Sequence, residues 1–183
     1  MSTKPARLFL AVVALSLLAN IVVEGACVLA PDTSGHVVIP ESMQTIASTA
    51  FQDCLTLVSV EIPANVTSIG ASAFSRCTAL TTVTFGPGKS MLASVGQLAF
   101  TQSGVISIAF PDTVVSLGAN VFSQCLSLTS VTFGPNYGAS SKLNSMGTQV
   151  FQQSTLTAIV IPPLVSTIGL QTFKQCGSLT NVT

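Results

Sequence analysis

The chain has 183 residues, of which 48% are hydrophobic and only 7% charged, six of each sign. Ordinary soluble domains carry about 25% charged residues, so this balance excludes a basic nucleic-acid surface, an acidic tail and a charge-laced helical bundle, and the apolar content excludes disorder. Serine and threonine supply 44 residues, 24% of the chain, so hydroxyl groups must form much of the wettable surface.

Lys4 and Arg7 precede an apolar run from Leu8 to Val23, interrupted by Ser16 and Asn20 and followed by the small residues Gly25 and Ala26. This is the layout of a secretory signal peptide over residues 1–25, with Val23 and Gly25 meeting the small-residue rule for cleavage after Gly25. The run of 16 residues is shorter than the roughly 20 that span a bilayer, which argues against an uncleaved membrane anchor. Residues 26–35 then lead into the first coil. Beyond residue 25 the chain holds four basic and five acidic side chains, a net charge of minus one.

From residue 36 onward one unit is written six times. The phrase V-x-[IF] begins at Val37, Val60, Val83, Ile108, Val131, Ile159 and Val182, in steps of 23, 23, 25, 23, 28 and 23 residues. Each copy then places an aliphatic residue before glycine, as in Ile69-Gly70, Val95-Gly96, Leu117-Gly118, Met146-Gly147 and Ile168-Gly169, with Ile46-Ala47 the one departure. A phenylalanine follows at 51, 74, 100, 122, 151 and 173, and three residues later stands Cys54, Cys77, Ser103, Cys125, Ser154 or Cys176. Six copies and a truncated seventh at this period predict a solenoid, in which no copy buries its own face alone.

Each part of the unit has a physical task. Stretches such as Leu128–Phe133 alternate apolar and hydroxyl residues, the pattern of a short strand with one face inward. Pro40, Pro63, Pro111 and Pro162 end such strands at once, and Pro87 and Pro135 one residue later, because proline cannot donate to a continuing ladder. A second extended stretch, as in Val66–Gly70, is expected to turn at a glycine with positive φ. The segment Ala73–Cys77 is expected to form a single helical turn held by packing, being too short for a stable isolated helix.

The phrase Ile62-Pro-Ala-Asn-Val-Thr-Ser-Ile-Gly-Ala-Ser-Ala-Phe-Ser-Arg-Cys-Thr-Ala-Leu-Thr-Thr-Val83 resembles the BspA-like leucine-rich repeat family, and the match runs from residue 36 to 183. The resemblance implies a curved right-handed solenoid of about six coils, with a parallel β-sheet on one side and short strands and single helical turns on the other. It also implies a secreted or cell-surface protein used in adhesion and protein binding, with no catalytic residues and no cofactor. Copies three and five depart from the pattern, with a longer loop after the strand and serine in place of cysteine, so the alternate copies are expected to form a distinct edge.

Five cysteines remain after residue 25, an odd number that argues against a closed disulfide framework. Stacked coils lie ~4.8 Å apart, so only Cys54 and Cys77, in adjacent copies, are expected to reach bonding distance. A row of buried, unpaired thiols packing as small hydrophobes is the preferred reading. No paired Cys or Cys–His spacing marks a metal site, and the single histidine, His36, lies at the first strand.

Apparent catalytic motifs belong to the repeat. Gly88-Lys89-Ser90 lacks the leading glycine of a phosphate-binding loop, since Val83 stands there. Ser-x-Gly recurs at Ser68, Ser94, Ser116 and Ser145 without the preceding glycine of a nucleophile elbow, and a motif present in every copy is scaffold. The candidate function, implied mainly by the family resemblance, is surface recognition of an extracellular protein or glycan. Two outward rows of the strands carry the candidate residues: Glu61, Thr84 and Thr132 in one, Ser59, Thr82 and Ser130 in the other. Ala109 and Val160 interrupt the first row, which argues against an ice- or lattice-binding threonine ladder. The long turns Gly86–Leu92 and Gly134–Leu143 add Lys89, Tyr137 and Lys142, with Tyr137 the candidate interface anchor. Asn65-Val-Thr67 and Asn181-Val-Thr183 are N-glycosylation acceptors if the source is eukaryotic. The alternative function is a coat or matrix component that self-associates end to end through an uncapped C-terminal coil.

Overall fold

The computed structural model describes residues 27–135 and 138–183. The signal-peptide reading of residues 1–25 and the candidate Tyr137 lie outside the described residues. Thirteen short strands follow one another among the described residues: β1 (His36–Val38), β2 (Thr45–Ile46), β3 (Ser59–Ile62), β4 (Ser68–Ile69), β5 (Thr82–Phe85), β6 (Ser94–Val95), β7 (Ser107–Phe110), β8 (Ser116–Leu117), β9 (Ser130–Phe133), β10 (Ser145–Met146), β11 (Ala158–Ile159), β12 (Thr167–Ile168) and β13 (Asn181–Val182). Odd strands form one seven-stranded sheet in the order β1-β3-β5-β7-β9-β11-β13, and even strands a six-stranded sheet running β2-β4-β6-β8-β10-β12. All pairings are parallel, as they must be when each coil repeats the path of the one before it. The architecture is the predicted solenoid, and the short strands expected opposite the main sheet form a second parallel sheet.

The core follows from like residues stacked on like. Val37, Val60, Val83, Ile108, Val131 and Ile159 face inward from the seven-stranded sheet, and Ile46, Ile69, Val95, Leu117 and Met146 from the six-stranded one. Between them runs a column of rings, Phe51, Phe74, Phe100, Phe122, Phe151 and Phe173, with neighbouring centroids 5.1–5.7 Å apart and planes within 8° of parallel. Each such contact adds roughly 0.5–1.5 kcal/mol beyond the burial of the ring. A shorter column, Phe85, Phe110 and Phe133, runs through three successive strands of the seven-stranded sheet.

The third side of each coil differs from the expected helical turn. Residues 48–53 and their equivalents are consecutive turns, and two non-glycine residues in each copy adopt a left-handed backbone. These are Thr49 and Asp53, Ser72 and Arg76, Leu98 and Gln102, Asn120 and Gln124, Gln149 and Gln153, and Gln171 and Gln175, all with φ of 54–61°. Such φ values break the local i to i−4 pattern of a helix and point alternate N–H groups along the stack. Ser72, Phe74 and Arg76 donate to the carbonyls of Gln97, Ala99 and Thr101 in the next coil, at 2.9, 2.7 and 2.8 Å. The same triplet recurs in the other copies, so this side is a third hydrogen-bonded ladder. Left-handed conformations in non-glycine residues are costly, and the ladder satisfies backbone groups that would otherwise be buried without partners.

The repeat glycines have a different cause from the one expected of them. Gly70, Gly96, Gly118 and Gly147 do not have positive φ; instead a Cβ on each would come within 2.5–2.6 Å of a backbone nitrogen in the coil beneath. Glycine is required by the close approach of two backbones. The one departure, Ala47, lies in the first coil, where its side is exposed and, among the described residues, no preceding repeat approaches it.

Hydroxyl groups hold the stack at its edges. Thr81, Thr129, Thr157 and Thr180 donate through Oγ1 to the carbonyls of Val58, Ile106, Thr129 and Thr157 one coil below, at 3.1–3.3 Å. Thr67, Thr113 and Ser166 do the same beside the six-stranded sheet, to Gln44, Leu92 and Asn144. These hydroxyls are thereby used between coils rather than offered to a partner.

Cysteine pairing corrects the sequence reading. Cys54 is bonded to Cys27, not available to Cys77, with the two Cα atoms 5.2 Å apart. The leader over residues 27–35 lies beneath the first coil, where Val28 N–H donates to the Ala50 carbonyl at 2.9 Å and Leu29 packs on the core. Cys27 thus takes the position of a preceding coil. Cys77, Cys125 and Cys176 are free thiols, as preferred for the row as a whole.

Candidate functional site

The strand register assembles the predicted sheet surface. His36, Ser59, Thr82, Ser107, Ser130, Ala158 and Asn181 are successive Cα partners across all seven strands. The second row pairs Val38 with Glu61 and Thr84, and Ala109 with Thr132. Thr82, Thr84, Ser130 and Thr132 are exposed, whereas Ser59 and Glu61 are half-buried. Ser59 Oγ lies 2.7 Å from His36 Nδ1, so that hydroxyl already has a partner. Thr84 Oγ1 reaches the Val60 carbonyl only at 3.4 Å. The sheet offers an open, nearly uncharged face rather than a pocket.

Of the two sequon asparagines, Asn181 is exposed on β13. Asn65 is engaged: its Nδ2 donates to the Glu41 carbonyl, and its Oδ1 is buried without a partner. The nitrogen that a glycan would need is thus committed to the neighbouring coil in the folded chain. Lys89 and Lys142 are exposed on the two long turns, and Lys142 N–H is anchored to the Asp112 carbonyl at 2.8 Å.

A concave surface, not foreseen from the sequence, lies along the third side. Its volume is about 750 Å³, and its lining includes Asp53, Arg76, Gln102, Gln124, Leu55 and Leu126. The residue two places after the stacked phenylalanine sits here in the first five copies, and several of these side chains bond from coil to coil. Arg76 makes a two-pronged ion pair with Asp53. Gln102 Nε2 donates to Gln124 Oε1 at 2.6 Å, and Gln124 Nε2 to Gln153 Oε1 at 3.0 Å. The guanidinium beside Asp53 holds its carboxyl below the usual range, and the carboxylate raises Arg76 in turn. The signal was present in the sequence as an aligned column of Asp, Arg and Gln, but side-chain pairing along it needs the coil spacing.

Reactive chemistry is not supported at the thiols. Cys77, Cys125 and Cys176 donate through Sγ to the carbonyls of Phe51, Phe100 and Phe151, at 2.8, 3.0 and 2.9 Å. Burial pushes Cys77 up to about 12 and Cys125 up to about 11, so neither is a thiolate near neutral pH. Among the described residues, no group of three His, Cys, Asp or Glu side chains is placed to hold a metal ion, and no helix is long and apolar enough to cross a membrane.

The sequence profile of the BspA-type leucine-rich repeat region matches over residues 33–138 and 93–183, with six copies. The chain belongs to the BspA-type leucine-rich repeat family. Solved structures share the fold of this family member. A pneumococcal vaccine antigen, PcpA, superimposes with a TM-score of 0.69 at 24% identity, covering 80% of this chain and 38% of its own. A leucine-rich cell surface protein of Faecalibacterium prausnitzii gives a TM-score of 0.54 at 26% identity, covering 81% of this chain and 47% of its own. The Treponema pallidum leucine-rich repeat protein gives 0.53 at 26% identity, covering 80% and 57%. This chain therefore spans less than two thirds of each of these proteins. No curated protein matches it.

Proposed function

We propose that this leucine-rich repeat chain is a secreted or cell-surface recognition module that binds an extracellular protein or glycan, without catalysis, through the open face of its seven-stranded sheet. The observation that carries this reading is the continuous outward row from His36 through Ser59, Thr82, Ser107 and Ser130 to Asn181, aligned strand by strand. An open face rich in hydroxyl hydrogen-bonding groups suits broad contact better than enclosure of a small molecule. The amino-terminal signal pattern and the description of one structural neighbour as a cell surface protein support the location. Nucleic acid is a poor partner for a face with so few basic groups.

The test is a paired substitution, Thr84→Arg with Thr132→Arg, in a chain shown by circular dichroism and melting to remain folded. Binding to immobilised matrix proteins or glycan arrays is expected to fall about tenfold or more as two bulky charges enter the contact. Unchanged binding of every ligand would overturn the sheet as the site.

A second reading is a coat or matrix component that self-associates end to end, for which the exposed side chains of Leu170, Ile168 and Val182 would be the contact. Light scattering coupled to size exclusion on the chain from Ala26 onward separates the two readings. Growth of oligomers with concentration, abolished by Val182→Asp, supports assembly; a monomer throughout supports recognition.

A further inference from the structure

The turns on the third side are not equally long. From the stacked phenylalanine to the next core aliphatic there are six positions in four copies, as from Phe74 to Leu80 and Phe122 to Leu128, but five from Phe100 to Val105 and from Phe151 to Leu156. In the third copy the shortened segment is Ser103-Gly104. It leaves a notch between Leu55 and Thr78 on one side and Leu126 and Ser127 on the other, within the cleft of about 750 Å³. Ser103 is buried at its floor, and a side chain on Gly104 would collide with the carbonyl oxygen of Thr78, so the floor is backbone.

We propose that this notch is a second binding site, distinct from the sheet face, for an extended, uncharged polypeptide segment bearing apolar side chains. Three features of the lining select that occupant. Asp53 and Arg76 are the only charged residues of the lining, and they neutralise one another, so the cleft has no free charge with which to recruit a phosphate or a carboxylate. Gln102, Gln124 and Gln153 each present a primary amide, which carries two N–H donors and two acceptor lone pairs. Their head-to-tail bonds use one N–H of Gln102 and of Gln124. The remaining donors and acceptors of each amide match the paired N–H and C=O of a peptide backbone.

Leu55 and Leu126, 61% and 71% exposed, stand at the two ends of the notch, where alternate side chains of an extended segment would fall. The lining holds no aromatic ring on which a sugar face would stack. The volume lies within the roughly 300–1,000 Å³ of ligand sites, enough for a short stretch of chain rather than a folded domain.

The experiment is selection of a displayed random-peptide library on the folded chain, followed by affinity measurement on Leu126→Asp, Leu55→Asp, Gln124→Ala and the sheet variant Thr132→Arg. A mixture of soluble cello-oligosaccharides serves as the sugar probe. Enrichment of uncharged peptides is expected, with affinity falling about tenfold or more in Leu126→Asp and in Leu55→Asp, several-fold in Gln124→Ala, and not in Thr132→Arg. Both leucines are exposed, so melting curves equal to the parent's are expected. If one variant fails to fold, the other supplies the comparison. The proposal is overturned if no peptide enriches, if the enriched peptides bind the leucine variants as tightly as the parent, if Thr132→Arg alone weakens them, or if the oligosaccharides occupy the notch instead. Loss confined to the leucine and amide variants leaves the sheet proposal untouched, so the two can fail separately.

Discussion

Cys27 and Cys54 are joined across the boundary between the leader and the first coil, 27 residues apart in sequence and 5.2 Å apart at Cα. The bond fixes the segment that covers the apolar end of the first repeat. Cross-linking a loop of this length stabilises by about 3 kcal/mol, chiefly by restricting the unfolded chain. Cys27→Ser is therefore expected to lower the unfolding free energy from urea titration by that amount, with a matching fall in midpoint, and reduction of the parent protein to lower the midpoint to the same value. Equal midpoints with and without reductant would show that the leader is held by packing alone.

The phenylalanine column is continuous, so its centre should be the most sensitive point of the core. Phe100 and Phe122 are fully buried, each with a ring on both sides. Phe122→Ala is expected to cost about 3–5 kcal/mol, measured by denaturant unfolding, and Phe173→Ala less because its ring is only partly buried.

Glycine at the foot of each second strand is a contact requirement, and alanine should reveal it. Gly118→Ala and Gly147→Ala each push a methyl group against the backbone of the preceding coil. Each is expected to destabilise by about 1–3 kcal/mol or more, the range of overpacked cores, while Ala47→Gly in the first coil should cost about 1 kcal/mol or less. A thermal-melting comparison of the three variants checks the contrast.

The buried thiols give stability a defined pH dependence. Unfolded cysteine loses its proton near 9, whereas Cys77 and Cys125 hold theirs up to about 12 and about 11 in the folded chain. Above pH 9 the unfolded state thus binds fewer protons than the folded one, and stability falls as pH rises; below that value both states keep the protons and the thiols contribute nothing. Each thiol adds a slope of about 1.4 kcal/mol per pH unit. Urea midpoints at about pH 8 and about pH 10 should diverge in the parent and much less in Cys77→Ser/Cys125→Ser, which uses the residue found at Ser103 and Ser154.

The sequence by itself determined the period, the inward-facing rows and the ends of the strands, because these rest on side-chain chemistry repeated in register. Val60, Val83 and Val131 face the core and Pro63 and Pro111 close their strands for reasons visible without a structure. The rows Ser59, Thr82, Ser130 and Glu61, Thr84 were likewise legible from alternation alone. Tertiary structure decided what depends on the distance between coils. It replaced the expected helical turn at Ala73–Cys77 with left-handed residues such as Ser72 and Arg76, because their N–H groups find carbonyls only in the next coil. It placed Cys27 beneath Cys54, a pairing hidden because the leader does not share the repeat. It also turned one missing residue at Ser103-Gly104 into a notch lined by glutamines from separate copies. Local preference specifies each coil, but the ladder, the disulfide and the cleft exist only between coils, where stacking brings together groups that lie some 20 to 30 residues apart in sequence.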